Sequence, residues 1–324
     1  MVTIVVLSRI GINGNHKITK ESLFQIGSIT KSFTAALILQ LEIEKKLNLD
    51  APIGGWLPQY LQWKSITVKQ LLNQTSGIYN YSDIQNFKKN LIKNPEVQLS
   101  LRELADLAYN HKPNLLFLSG KGWSYSNTNY VLAGLIIEKI TGHSFSDEIT
   151  SRLLGKKFGL LSTYYIKYPQ NGVEFLVHSY DGAGKNSPIN TDVTPVNTSW
   201  GGPAGGLISN AHDVALWTKA LFKGDVLQPK QLNEMMTLVS MENGQLINKQ
   251  SENGYGLGIG SDIENFGFNK KYGLVYDHTG GMLGAHSYFV YLPRQNIIVA
   301  VTTNTNRCEV TKIANDFISG VLDR

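Results

Sequence analysis

Cysteine is all but missing from this sequence. Cys308 stands alone among 324 residues, so no internal disulfide can form and cysteine says nothing about redox compartment. Long apolar runs are missing as well: none approaches the roughly 20 residues a helix needs to cross a bilayer. The aliphatic stretch Val2–Leu7 is short, is interrupted by Thr3 and has no basic residue ahead of it, so it reads as a strand and not as a leader. Dense Lys/Arg blocks and basic-aromatic stripes are absent, and a net charge of +5 describes a mildly basic, solvated surface; nucleic acid is not an expected partner. The seven histidines show no H-E-x-x-H or comparable ligand spacing, so no metal is expected, and His212-Asp213 reads as a helix start. There is no G-x-S-x-G elbow, no phosphate-binding P-loop, no repeat and no low-complexity tract.

What is present is an ordinary globular composition, 42% hydrophobic and 17% charged, long enough for a large core and two lobes. Residues 29–46 read as a helix that is apolar on nearly every side between Phe33 and Ile43, the pattern of a buried central helix. Helical patterns follow at 67–74, 100–110, 128–141 and 211–222. Asn127 or Thr128 is placed to cap the third of these before it ends at Gly142, and Asn210 with Asp213 has the form of a capping box. From Tyr255 the period changes. HSYFVYL, a turn at Pro293 and IIVAVTTN read as an antiparallel hairpin, and 309–323 as a closing helix. Strands at both ends with helices between predict an α/β lobe from 1–65 and 250–324, a mainly helical lobe from 66–249, and an active site at their interface.

Ser28-Ile-Thr-Lys31 is an S-x-x-K tetrad at the start of the buried helix. Residues three apart share a helix face, so the ammonium can reach the hydroxyl. A free serine is a poor nucleophile that needs a neighbouring base, and the helix start offers unpaired N–H groups to an oxyanion. Alone, the tetrad means little, since a chain this long contains about one by chance. Its position inside an apolar helix is what argues for chemistry: a buried lysine gives up its proton more readily. Tyr125-Ser126-Asn127 sits in a polar turn before a helix, where residues two apart can face one cleft. A tyrosine serves as base there only if cations stabilise its phenolate, and three units of depression correspond to about 4 kcal/mol. His278-Thr279-Gly280-Gly281 follows a strand-like segment, and its paired glycines permit close backbone approach by a peptide lying along the edge.

Ser28-x-x-Lys31, Tyr125-x-Asn127 and His278-Thr279-Gly280, in that order, resemble the signature of the penicillin-recognising serine hydrolases. The branch resembled contains class C β-lactamases, D-Ala-D-Ala carboxypeptidases, D-aminopeptidases and related esterases. SLFQIGSITKSFTA, ITVKQLLNQTSGI, YSNTNYVLAGLIIEKITG, GGPAGGLISNAHDVALW and DHTGGMLGAHSYFVYLP all look like family segments in family order. The resemblance implies a β-lactamase/transpeptidase-like fold of α/β (α+β) class, with an antiparallel sheet flanked by helices, built from both chain ends, and an all-helical insertion. It implies that Ser28 is acylated and that Lys31 and Tyr125 shuttle the proton. Asn127 would orient the substrate amide, the Ser28 and Gly281 N–H groups would hold the oxyanion, and His278 and Thr279 would face a substrate carboxylate. Trp200 would wall the pocket, with core packing as the alternative. No cofactor is implied.

Two departures shape the functional expectation. Histidine 278 stands where class C β-lactamases have lysine; it is mostly uncharged near neutral pH and so anchors a carboxylate and acidifies Tyr125 less. That favours a D-Ala-D-Ala carboxypeptidase-like peptidase acting on small peptides or peptidoglycan fragments, with β-lactams as covalent ligands. An esterase or D-amino-acid amidase is the alternative, ahead of a class C β-lactamase or a sensor that never turns over. Second, Thr3–Arg9 looks like the family's second strand, so the chain is expected to be N-terminally truncated or to carry a misplaced start, and to have lost an export signal. The resemblance points to a periplasmic or secreted location, with the cytoplasm as the alternative.

Overall fold

The computed structural model describes residues 18–165, 176–182, 191–247, 253–261 and 272–322; the strand expected at Thr3–Arg9 lies outside them. The described chain begins with β1 (Phe24–Gln25) and a 3-10 turn at Gly27–Ile29 that runs directly into α1 (Thr30–Ile43). Helices α2 (Val68–Leu72), α3 (Phe87–Lys93), α4 (Leu101–Asn110), α5 (Asn127–Thr141) and α6 (Phe145–Leu153) follow. Short strands β2 (Tyr164–Tyr165), β3 (Tyr180–Asp181) and β4 (Thr191–Asp192) lead to α7 (Gly202–Gly205), β5 (Leu207–Ser209), α8 (Ala211–Phe222) and α9 (Pro229–Met236). The last section carries β6 (Val239–Ser240), β7 (Gly254–Tyr255), β8 (Gly260–Ser261), β9 (Tyr276–Met282), β10 (Ala285–Leu292), β11 (Ile297–Thr303) and α10 (Val310–Leu322).

The main sheet is antiparallel, with six strands in the order β11-β10-β9-β8-β7-β6. Its hairpin, β10 to β11, is in register at Leu292↔Ile297, and the connecting turn places Asn296 at φ +55, a conformation asparagine tolerates. Both faces are covered. Tyr288, Val290 and Leu292 pack with Val310, Ala314 and Ile318 of α10, while the alternate residues Phe289 and Tyr291 join the larger core with Phe222 of α8. That two-sided burial explains why these strands read as nearly continuous apolar runs.

Helix α1 is buried along its length, from Thr30 to Leu39. Phe33 stacks on Trp217 of α8 with centroids 3.7 Å apart, and the Trp217 indole N–H donates to Ser32 Oγ at 2.9 Å. Thr34 donates to the Pro203 carbonyl at 2.7 Å, pinning α1 to the Gly-Pro-Ala-Gly turn of α7. The mixed α/β architecture with an antiparallel sheet and covering helices is thus the one expected. Four short helices, α3, α6, α7 and α9, of 7, 9, 4 and 8 residues, were not indicated by sequence pattern, because one or two turns offer few periodic positions. One cap differs. Helix α5 starts at Asn127 itself, Ser126 is the flanking residue without a side-chain cap, and Asn127 turns its amide elsewhere.

Candidate active site

Two backbones cross closely where α1 begins. A Cβ on Gly27, whose φ is +50, would lie 2.7 Å from the Gly281 nitrogen, and a Cβ on Gly280 would lie 2.0 Å from the Ile26 carbonyl oxygen. Only glycine fits at such an approach. The Ser287 hydroxyl donates to the same Ile26 carbonyl at 2.7 Å, so the segment just ahead of Ser28 is held against β9 and its partner strand. Ser28, half-buried, emerges from this crossing beside the β9 backbone.

Lys31 lies one turn further along and is fully buried. Its Nζ is 3.0 Å from Ser28 Oγ, 2.7 Å from Asn127 Oδ1 and 2.8 Å from the Ala204 carbonyl. Rings of Tyr125 and Tyr130 flank it at 4.8 and 5.4 Å. Burial holds its pKa well below the ordinary lysine value. Two of the three oxygen partners can only accept. An ammonium would donate to all three, whereas a neutral amine would meet these two with its N–H groups and leave its lone pair for the Ser28 hydroxyl.

Tyr125 is half-buried, edge-on to Tyr255 at 6.2 Å. Burial raises its phenol pKa above 10, while a hydrogen bond with the Ser28 side chain pulls the other way. Burial dominates, so Tyr125 holds its proton beside Ser28 more tightly than an ordinary tyrosine does. Asn127 directs its carbonyl to Lys31, donates through Nδ2 to Ser82 Oγ at 3.1 Å, and offers its backbone N–H to Asn80 Oδ1 at 3.1 Å.

His278 departs from expectation. It is buried, its Nδ1 lies 2.6 Å from the Thr279 carbonyl and its Nε2 lies 2.9 Å from the Tyr255 hydroxyl. A carbonyl only accepts, so Nδ1 carries the proton and Nε2 accepts from Tyr255. Burial first, then the charge of Lys31, push its pKa down to about 3, against the Thr279 contact. An uncharged ring with both nitrogens engaged inside the protein does not face a substrate carboxylate. Thr279 and Gly281, by contrast, are exposed on the opposite face of β9 from His278 and Gly280. Trp200 is buried in the main core, edge-on to Phe87 at 6.3 Å, and its carbonyl accepts from Tyr81; of the two readings for this residue, that setting is packing.

Sequence reasoning missed the group that holds the Tyr125–Asn127 turn. Gln74 is fully buried and sits at φ +67. Its side-chain oxygen accepts from the Ser126 N–H at 3.0 Å and from Asn129 Nδ2 at 2.6 Å, and its carbonyl accepts from the Ser124 N–H at 3.1 Å. The available signal was NQTSGI, a polar turn directly after an apolar helix. Among the described residues no group of three His, Cys, Asp or Glu is arranged to hold a metal, and no helix is long and apolar enough to cross a membrane.

A family model described as Beta-lactamase matches residues 4–319. Among curated proteins, the chain is 29% identical over 305 residues to Protein flp of Staphylococcus aureus (strain MRSA252), covering 92% of this chain and 56% of that protein. It is 24% identical over 299 residues to penicillin-binding protein 4* of Bacillus subtilis (strain 168), covering 89% and 62%. The chain thus spans little more than half the length of these relatives. Among solved structures, it resembles a D-stereospecific amidohydrolase from Streptomyces sp. at TM-score 0.77 and 30% identity, covering 91% of this chain and 86% of that one. It also resembles the octameric penicillin-binding protein homologue from Pyrococcus abyssi at TM-score 0.77 and 25% identity, covering 94% and 67%. D-amino acid amidase from Ochrobactrum anthropi SV3, complexed with L-phenylalanine amide, matches at TM-score 0.74 and 25% identity, covering 94% and 84%.

Proposed function

The chain belongs to the Beta-lactamase family of serine hydrolases, and on that footing we propose that it cleaves peptide or amide bonds at D-residues through an acyl-enzyme on Ser28, in the manner of a D-Ala-D-Ala carboxypeptidase. The observation that carries this reading is the buried Lys31 amine 3.0 Å from Ser28 Oγ, with its other two contacts taken by carbonyl acceptors.

In the proposed sequence the Ser28 hydroxyl passes its proton to the neutral Lys31 amine as Oγ bonds to the substrate carbonyl carbon. The N–H groups of Ser28 and Gly281, which lie on the two segments that meet where Gly27 crosses β9, receive the oxyanion. Tyr125, a neutral phenol next to Ser28, gives its proton to the departing nitrogen and recovers one from Lys31. Water then attacks the acyl carbon by the reverse route. Asn127 keeps the Lys31 amine aimed at Ser28 and has the donor chemistry to meet the substrate amide. A peptidoglycan fragment as substrate would put this work outside the cytoplasm.

A D-amino-acid amidase or esterase is the second reading. It is favoured by the neutral, internally bonded His278 and by similarity to a D-stereospecific amidohydrolase. Intact-mass analysis after incubation with benzylpenicillin tests the shared chemistry. One adduct is expected, at Ser28, absent from Ser28→Ala; an adduct mapped to any other residue would overturn the assignment. Release of D-alanine from a D-Ala-D-Ala peptide, against release of ammonia from a D-amino-acid amide, then separates the two readings.

A further inference from the structure

We infer that a second ligand site lies at the far end of α5: a cavity that takes a small organic ammonium with an apolar body, the ammonium seated on Glu138. Binding there does not depend on what Ser28 does, whereas the effect of the ligand on acylation rests on the reading of Lys31 as the base.

The cavity measures about 440 Å³ and is bounded by the start of α4, the last turns of α5, the start of α6 and β2. Volumes of this size hold small ligands. Glu138 stands eleven positions beyond Asn127 on α5, roughly 16 Å along the helix axis, so the cavity is distinct from the cleft at Ser28. Leu99, Leu101, Leu135 and Phe145 supply its apolar walls, and Glu138 and Tyr165 its main polar groups.

The charge of the ligand follows from what the protein leaves unmatched. Glu138 Oε1 accepts from the Phe145 N–H at 2.9 Å, and among the described residues no cation pairs with this carboxylate. The Tyr165 hydroxyl makes no hydrogen bond among them either. Burial first, then the Glu138 charge, raise the pKa of that phenol, which leaves it neutral beside the carboxylate. Its ring stands edge-on to Phe145 at 5.1 Å, and aromatic faces attract cations. An anion finds no equivalent welcome, because the helix starts at the cavity are already occupied. Ser100 and Glu103 cap α4 reciprocally, and Ser144 caps α6, whose first turn holds Asp147 and Glu148. Arg102, the cation of the lining, is exposed; it is available to a carboxylate carried by the same ligand, as in an amino acid.

One layer of side chains separates this cavity from the backbone that holds Lys31. A Cβ on Gly202 would lie 3.1 Å from Leu101 Cδ2, and one on Gly206 would lie 3.0 Å from Tyr165 Cε2. On the α5 side, a Cβ on Gly134 would lie 2.3 Å from Pro203 Cγ. The turn from Gly202 to Gly206 is thus packed without slack, and its Ala204 carbonyl accepts from Lys31 at 2.8 Å. A ligand that presses Leu101 or Tyr165 inward moves that carbonyl and turns the amine from Ser28. Occupancy then slows acylation without competing with substrate.

Titration calorimetry near pH 7 tests the site with three probes of one shape: isoamylamine, D-leucine and 4-methylpentanoate. The two that carry an ammonium are expected to bind once per chain, with Kd of about 1 mM or tighter; 4-methylpentanoate should bind at least ten-fold more weakly. D-Leucine ahead of isoamylamine assigns the site to amino acids, through Arg102, and the reverse order assigns it to simple amines. Glu138→Gln, which keeps an acceptor for the Phe145 N–H, should lose ten-fold or more in affinity, and Tyr165→Phe a few-fold. Saturating isoamylamine should lower the maximal rate of acylation by benzylpenicillin at least two-fold and leave the half-saturating benzylpenicillin concentration unchanged. No binding of either ammonium, equal binding of 4-methylpentanoate, or affinity indifferent to Glu138→Gln would overturn the site. Competition with benzylpenicillin would place the ligand in the Ser28 cleft instead, and an unchanged acylation rate at saturation would refute the link through Ala204. If the ligand-free protein is not acylated at all, the reading of Ser28 fails, and calorimetry still decides whether the site exists.

Discussion

Lys31 Nζ and Asn127 Oδ1 meet at 2.7 Å although 96 positions of sequence separate them. The orientation of the amide is set by its other end, since Nδ2 donates to Ser82; the carbonyl is therefore what faces the lysine. The contact ties the first turn of α1 to the first turn of α5 and places the side chain of residue 127 directly against the Lys31 nitrogen.

Asn127→Asp should accordingly move the pH dependence of acylation. Burial lowers the Lys31 pKa, so the neutral, basic form is populated as pH rises through that lowered value, and kcat/KM rises with it. A carboxylate at 127 stabilises the ammonium and raises the pKa. The rising limb shifts to higher pH, and the rate at pH 7 falls by roughly ten- to a hundred-fold. A rate that drops equally at every pH, with the limb unmoved, would count against Lys31 as the base.

The same burial links Lys31 to stability. Its folded pKa lies below the unfolded value of about 10.4, so between the two the unfolded chain binds more protons and folding stability rises with pH. Lys31→Met lacks this titration. Denaturant midpoints from pH 7 to 10 should show the wild type gaining on the variant at each step upward; parallel curves would mean the lysine stays protonated in the fold.

His278 makes a similar argument at the acid end. Its folded pKa of about 3, against about 6.5 unfolded, means that stability fully present above pH 6.5 is lost as pH falls toward 3, at up to about 1.4 kcal/mol per pH unit. His278→Gln should start less stable at pH 7, because the Tyr255 contact is disturbed, and then show a flatter slope from pH 6.5 to 3. His286, also pushed toward neutrality by burial, contributes a slope of the same sign to both proteins. An unflattened curve would contradict a buried neutral ring at 278.

The difference between what sequence revealed and what it hid lies in range. Helix α1 was legible because apolar residues on every side admit one solution, burial, and the Ser28–Lys31 spacing then follows from helix geometry. The β10–β11 hairpin was legible from β-branched and aromatic residues around a turn. His278 was misplaced because its orientation depends on Tyr255, 23 positions earlier on another strand, and no local pattern encodes such a partner. Trp200 was ambiguous for the same reason, since Phe87 and the main core bury it. The cap of α5 was misassigned because Asn127 is a good capping residue type, yet Lys31 and Ser82 claim its amide.

Gln74 is a positioning residue on this view, acting through the Tyr125–Asn127 turn. Gln74→Met keeps the volume and removes the acceptor for Ser126 N–H and Asn129 Nδ2, leaving buried donors unpaired at a cost of about 1–3 kcal/mol each. Acylation should slow by more than ten-fold at 20 °C, where the variant is still folded by circular dichroism. Gln74→Glu restores an acceptor and should recover part of the rate while Tm stays depressed. Recovery of Tm without recovery of rate would make Gln74 a structural residue only.

The crossing at Gly27 and Gly280 supplies the sharpest steric test. A Cβ at 280 would sit 2.0 Å from the Ile26 carbonyl oxygen and 2.2 Å from Ser287 Oγ, whereas at 281 the nearest atoms belong to His286, at 3.7 and 3.8 Å. Contacts near 2 Å cannot be accommodated by side-chain rotation when one partner is backbone, so Gly280→Ala must push the Ser28 turn away from β9 and separate the two proposed oxyanion donors. Loss of one such donor typically costs a hundred-fold or more in rate. Gly280→Ala should therefore lose at least that much acylation by benzylpenicillin together with several degrees of Tm, and Gly281→Ala, one residue along the same strand and keeping its N–H, should remain within a few-fold of wild type on both measures. If the two alanine variants behave alike, the close backbone approach is not what aligns Ser28 with β9.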